Sequence, residues 1–322
     1  MSADAAGKKG ATAFAPATVS NVAVGFDILG FAVEQIGDRV TVWKTEAPSV
    51  FIKEIVGADG AAADPDIPTD PARNTATVGL EALREDLKLA HGFEVAIEKG
   101  IALGSGLGGS AASAVGALVA ANSLLESPLA AEALLRYALI GEQAASAAIH
   151  PDNVAPCLLG GLVLVTSMSP LRHVRLPVPE KILTVLAHPH VRVDTRAARR
   201  LLRAEVAMTD YVRQSASLAG FVAGCYTNDY ELIGESLSDV IVEPQRAPLI
   251  PGFASVKAAA VEAGALGASI SGSGPTVFAW VTSEEAAERV RSAMARAFTE
   301  NGASGIDSWV SHVSGRGARV VR

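Results

Sequence analysis

Apolar and polar residues alternate over residues 39–43 and again over 93–97, where Glu94 and Ala96 separate Phe93, Val95 and Ile97. That is the period of a half-buried strand. Residues 50–55 carry a third strand pattern, and residues 58–73, rich in Ala, Asp and Pro, read as a surface loop. Over 74–89 the spacing becomes helical, with Val78, Leu80, Leu83, Leu87 and Leu89 on or near one face. Two alanine-rich helices are predicted over 110–125 and 129–148, parted at Ser127-Pro128, with axes able to approach closely. Residues 150–161 read as a loop leading into a strand over 162–166, and the proline-bearing stretch 170–179 reads as the junction between two domains.

Beyond the junction the pattern predicts a strand over 182–187, helices over 195–206, 229–240 and 253–263, and a glycine turn at Gly272 and Gly274. A strand over 276–281, a helix over 283–301 and a last strand near Trp309 follow. No internal repeat is present. Strands and helices mix without strict βαβ alternation, so the class is α+β. With 322 residues, two domains sharing a cleft are expected, divided as 1–168 and 169–322.

Composition narrows the functional classes. Hydrophobic residues make up 49% and charged residues 19%, a balance that supports a packed core. The net charge of −7 offers no basic footprint for nucleic acid or an anionic membrane. Two cysteines, Cys157 and Cys225, fit a reducing compartment rather than a disulfide framework. The first residues read as a short disordered start without the apolar core of a signal peptide, and no apolar run reaches membrane-spanning length, so a cytoplasmic protein is expected.

The densest chemical signal is Gly104-Ser105-Gly106-Leu107-Gly108-Gly109-Ser110, between a strand and a helix. There, successive backbone N–H groups and the helix dipole can face an anion. The segment also satisfies the G-x-G-x-x-G dinucleotide pattern. That reading requires a second strand ending in an acidic residue roughly 20 residues on, and residues 120–134 are helical and interrupted by Pro128. A Walker loop is excluded by the missing Gly-Lys-Ser/Thr. A plain packing turn remains the alternative to a phosphate site on this segment alone.

Three segments together go further. Residues 16–27 (PATVSNVAVGFD), 101–113 (IALGSGLGGSAAS) and 268–276 (ASISGSGPT) resemble, in order and spacing, the three motifs of the GHMP small-molecule kinases. Within that family, residues 20–32, 150–161 (HPDNVAPCLLGG) and 243–253 (EPQRAPLIPGF) are similar to the homoserine-phosphorylating branch. The similarity runs from about residue 14 to residue 310. It implies an N-terminal α/β domain with a left-handed crossover, a ferredoxin-like C-terminal domain, and phosphoryl transfer from ATP, with Mg2+, to the hydroxyl of L-homoserine. A homodimer is implied as well. Two departures stand out: Ala102 occupies the usual place of a proline, and Gly109 that of a serine, which leaves Ser110 as the hydroxyl for phosphate or magnesium.

The resemblance also implies site residues. The nucleotide would be held by Ala102, Leu103, Gly104, Ser105, Gly106, Leu107, Gly108, Gly109, Ser110, Ala111 and Ala112, with Asn74 on the adenosine side. Glu142 and Ser110 would hold magnesium, for which oxygen ligands suit. Homoserine would be met by Asn21, Asp27, His150, Thr195, Arg199, Arg246 and Gly272, with Asp27 on its ammonium and the arginines on its carboxylate. The plain alternatives are turn-capping by Asn21 and Asp27, an exposed basic helix face around Arg199, a solvated carboxylate at Glu142, and an ordinary histidine at His150. Asn21 and Asn153 would orient the acceptor hydroxyl, and Asp152 would support the reaction without being an essential base. His188 and His190 lack the spacing of a metal site and read as structural.

Overall fold

The computed structural model describes residues 9–146 and 149–321. Its larger sheet contains β1 (Gly10–Ser20), β2 (Leu29–Thr45), β3 (Val50–Gly57), β4 (Gly92–Lys99), β5 (Leu162–Met168), β6 (Leu171–Leu176) and, from the far end of the chain, β11 (Arg319–Val321). The order is β11-β1-β2-β4-β3, with β5 on the other end of β2 and β6 beside β5. Only β3 and β4 run parallel, joined through helix α1 (Thr75–Asp86). The smaller sheet, β7 (Leu183–Pro189), β8 (Gly267–Ile270), β9 (Val277–Val281) and β10 (Ile306–His312), is antiparallel in the order β10-β7-β9-β8. In chain order that is 4-1-3-2, the ferredoxin-like arrangement. The chain belongs to the α+β class.

Helices α2 (Gly109–Asn122) and α4 (Pro151–Leu159) cover the larger sheet, and α3 (Ala131–Ser146) packs against α1, α2 and α4. Nearly every residue of α2 is buried, because Ala11, Ala13, Ala15 and Ala17 on β1 and the alanines of α2 leave little space between strand and helix. A Cβ at Gly116 would stand 2.8 Å from Val40, so glycine lets the helix sit at this depth. The rest of the chain adds α5 (Thr195–Arg200), α6 (Met208–Thr227), α7 (Tyr230–Ser236), α8 (Glu243–Arg246), α9 (Phe253–Glu262) and α10 (Glu284–Glu300). The two sheets meet through Phe31, whose ring centroid lies 6.0 Å from Phe278 and 5.7 Å from Trp280. The chain returns at its end to the larger sheet, where Ser314 N–H donates to Ala32 and Ala318 N–H to Cys157. No helix among the described residues is long and apolar enough to cross a membrane.

Several expectations are corrected. Of the loop expected over 150–161, residues 151–159 form helix α4: His150 is the N-cap, Pro151 pre-sets the first helical φ, and Asp152 lies in the first turn. Pro156 leaves the Asp152 carbonyl without its helical donor, and Gly30 packs against that oxygen. Residues 170–179 contain β6, an edge strand with mostly exposed side chains. The helix expected over 195–206 ends at Arg200, and the twenty-residue α6 carried no clear signal, because its buried Phe221, Gly224 and Cys225 all lie in its last two turns. The disordered start over residues 1–8 and the end of the helix at 147–148 lie outside the described residues.

Candidate active site

The glycine segment leaves β4 and enters α2 with Gly104, Gly106 and Gly108 at φ 70°, 79° and 71°. Each is sterically required as glycine. A Cβ at Gly106 would meet the Ser271 carbonyl at 2.4 Å, and one at Gly108 the Thr18 hydroxyl at 2.1 Å. The segment's carbonyls face the protein: Gly104 O accepts from Val193 N–H, Ser105 O from Thr276, Gly106 O from Ser271 Oγ, and Leu107 O from Thr18 N–H. Among the described residues no protein acceptor is found for the N–H groups of Gly106, Gly108 and Ser110. A ring of donors at a helix start is therefore free for an anion.

This loop forms one wall of a cleft of about 400 Å³ between the two sheets. The structure brings to it Asn21, Asp27, Asn74, Ala102, Leu103, Gly104, Ser105, Gly106, Gly108, Gly109, Ser110, Glu142, His150, Asp152, Asn153, Thr195, Arg199, Arg246 and Gly272. Leu107, Ala111 and Ala112 do not line it; their side chains are buried in the core under the loop.

At the loop end of the cleft, Ser110 Oγ donates to Glu142 Oε1 at 2.9 Å, and His150 Nδ1 lies 3.2 Å from the same oxygen. Glu142 Oε2 is buried with no partner among the described residues. Burial is the strongest influence and works against a charged His150, yet its bond to Glu142 and the charges of Glu142, Asp152 and Asp27 together outweigh it and raise the imidazole's pKa above its ordinary value. At the opposite end Arg199 donates to both oxygens of Asp27 at 2.7 and 2.8 Å. Arg246, buried and with its pKa lowered chiefly for that reason, donates to Gly272 O at 2.8 Å. Between them Asp152 is wholly buried, and burial together with the nearby charge of Asp27 raises its pKa to about 7.

Some side chains are committed to the fold as well. Asn21 accepts from Asp27 N–H at 3.1 Å and donates to Gly272 O at 3.0 Å, holding a turn in which Asn21, Val22, Ala23 and Asp27 all have positive φ. Such conformations in bulky residues are strained and concentrate at functional sites. Asn153 accepts from Thr18 Oγ1 and donates to Ser20 Oγ. Asn74 caps α1 and donates to Pro68 O. Thr195 Oγ1 lies 3.3 Å from Ser273 Oγ.

Two cleft residues escaped the sequence reading. Lys99 bonds Asp38, Gly109 O and Ser113 Oγ, while buried Asp38 also accepts from the Gly100 and Ile101 N–H groups. Asp38 thus fixes the start of the phosphate loop, where Ala102 replaces the usual proline. A lysine ending a strand before a glycine run was the available signal; the partner 61 residues earlier gave none. Arg192, paired with Asp66 at 2.5 Å across the cleft mouth, is the second.

The GHMP kinases N terminal domain matches residues 74–161, and the GHMP kinases C terminal domain matches residues 221–300. A homoserine kinase of Xylella fastidiosa (strain M12) is 50% identical over 313 residues, covering 97% of this chain and 94% of that protein. One of Xanthomonas campestris pv. campestris (strain B100) is 47% identical over 319 residues, covering 98% and 96%. The crystal structure of homoserine kinase from Cytophaga hutchinsonii superposes with a TM-score of 0.93 at 45% identity, covering 98% of both chains. The chain belongs to the homoserine kinases, a branch of the GHMP kinases. Membership makes it an ATP-dependent kinase. The motifs carrying the family resemblance, around Asp27, the glycine loop and Gly272, meet in the homoserine-kinase cleft although they are far apart in sequence.

Proposed function

We propose that this cleft transfers the γ-phosphoryl group of ATP to the side-chain hydroxyl of L-homoserine, giving O-phospho-L-homoserine for threonine biosynthesis. The observation that carries the proposal is where unsatisfied polarity collects. Five of the nine buried side-chain polar atoms without a partner among the described residues belong to the cleft: Ser105 Oγ, Glu142 Oε2, Asp152 Oδ1, Arg199 Nε and Arg246 Nε. Native folds satisfy such atoms, so their concentration in one cavity marks where a ligand completes them.

The loop amides and the N-terminus of α2 would bind the phosphates. Glu142 and Ser110 fit a magnesium ion: the orphaned Oε2 and the adjacent hydroxyl are the hard oxygen donors it prefers, and phosphate and water oxygens complete its shell. Among the described residues no cluster of three or more His, Cys, Asp or Glu side chains offers a self-sufficient metal site. When bound, the ion would neutralise charge on the transferring phosphoryl group. Asp27 would take the substrate's ammonium, and Arg199 and Arg246 its carboxylate. The hydroxyl oxygen then forms a bond to the γ-phosphorus as the bond to the β,γ-bridging oxygen breaks. Asp152, poised near neutrality, is a supporting acceptor for the hydroxyl proton, while Asn21 and Asn153, held by Gly272 O and by the Thr18 and Ser20 hydroxyls, would orient the hydroxyl.

Burial pushes the Cys157 thiol well up and the Cys225 thiol up to about 12, which fits inert core thiols in a reducing cytoplasm. A homodimer is proposed from the family resemblance. The catalytic reading is tested by measuring ADP release with L-homoserine, with Arg246→Ala expected to raise the homoserine KM by about tenfold to a hundredfold, the worth of a charge-assisted hydrogen bond. Unchanged homoserine KM in that variant contradicts the proposed carboxylate pocket.

A further inference from the structure

Phe26 sits half-buried in the strained turn between Asn21 and Asp27. The guanidinium carbons of Arg199 and Arg246 both lie over its ring, 5.3 and 5.1 Å from the centroid. These arginines come from α5 and α8, 47 positions apart by their numbering. Two cations held this close repel: the charge of Arg199 adds to burial in lowering the pKa of Arg246. Hydrogen bonds orient them incompletely, since both Nε atoms are buried without a partner among the described residues. The face of an aromatic ring attracts a cation within about 6 Å, and more strongly where water is excluded. The ring is thus a surface that both guanidinium groups share.

We propose that Phe26 is a positioning residue that holds Arg199 and Arg246 together as a single receptor for the carboxylate of the amino-acid substrate. The proposal rests on the reading that this end of the cleft takes that carboxylate. In the ligand-free protein Asp27 balances Arg199. When a zwitterion enters, its ammonium takes Asp27 and its carboxylate takes Arg199; the Phe26 ring keeps the guanidinium in place as its partner changes. Leucine or methionine at this position retains apolar bulk and removes the ring's attraction for cations, whereas tyrosine retains both.

The test is steady-state kinetics of Phe26→Leu, Phe26→Met and Phe26→Tyr with L-homoserine and with its carboxamide. The leucine and methionine variants are expected to raise the homoserine KM by about tenfold, the scale of two cation–π contacts, with kcat and the ATP KM within about twofold. The tyrosine variant stays near wild type. With the carboxamide, which keeps the ammonium but lacks the carboxylate charge and is expected to be a poor substrate for wild type, the leucine variant is expected to shift KM by less than about twofold. Unchanged homoserine KM in the leucine and methionine variants, an equal rise for homoserine and carboxamide, or a tyrosine variant behaving like leucine overturns the role of Phe26 alone. A wild-type enzyme that uses homoserine and its carboxamide equally well overturns the carboxylate reading, and this proposal with it.

Discussion

Asp152 shows how a single residue links the chemistry to the fold. Its carboxyl titrates near 7 in the cleft against 3.8 in water, so the folded protein keeps a proton that the unfolded chain releases between those values. Its contribution to stability is therefore greatest below about pH 4 and is lost as pH rises to about 7. Asp152→Asn removes this loss: in urea unfolding, the stability of the ligand-free variant relative to wild type is expected to grow from pH 4 to pH 7, and a flat difference contradicts the assignment. Its turnover is expected to fall by less than about a thousandfold, the middle of the range of general-base catalysis. A larger fall with the fold intact would make Asp152 an essential base. For Glu142→Gln, which weakens an oxygen donor without changing its shape, the Mg2+ concentration for half-maximal activity is expected to rise by at least about tenfold; an unchanged magnesium titration excludes Glu142 as a ligand. These side chains were legible in the sequence through their motifs. Their electrostatics were not, because burial and the neighbouring Asp27 and His150 arise only when distant segments meet.

At the scale of the element, the glycine loop separates positions where glycine is required from one where it is not. Gly108→Ala forces a Cβ to 2.1 Å from the Thr18 hydroxyl at φ 71° and is expected to cost about 1–3 kcal/mol. Gly109 has no positive φ, and its Cβ would meet Ile101 at 3.2 Å and Lys99 at 3.4 Å. Gly109→Ser is therefore expected to stay within about 1 kcal/mol of wild type in thermal unfolding. Equal destabilisation by the two changes contradicts this account. Strands β3, β4, β7 and β9 and helices α1, α9 and α10 were legible from periodicity, because each faces core on one side or ends at clear turn residues. Helix α4 was hidden by its prolines. The N-terminal half of α6 was hidden by its exposure: Met208, Tyr211 and Val212 face outward, so apolar spacing there marks no core face.

Across the whole molecule, the cleft is tied shut behind the phosphate loop. Gly272 N–H donates to Ser20 O, Ser271 Oγ to Gly106 O, and Thr276 to Ser105 O, so the turn before β9 and the loop before α2 position each other. A nucleotide filling this seam stabilises the folded state by mass action, so ADP at a hundredfold above its Kd is expected to add about 2.7 kcal/mol, read as a rise in Tm. No shift at saturating nucleotide contradicts the placement of the phosphate site. The α+β class followed from the mixed order of predicted elements. The return of β11 to the first sheet did not, because three residues pairing with β1 from some 300 positions away leave no periodic trace. The central claim, a kinase built for a zwitterionic amino acid, is tested most directly by ADP release with ATP, Mg2+ and a panel of L-homoserine, mevalonate and galactose. Turnover with homoserine far above that with the other two is the predicted result; equal activity on mevalonate or galactose would contradict the account.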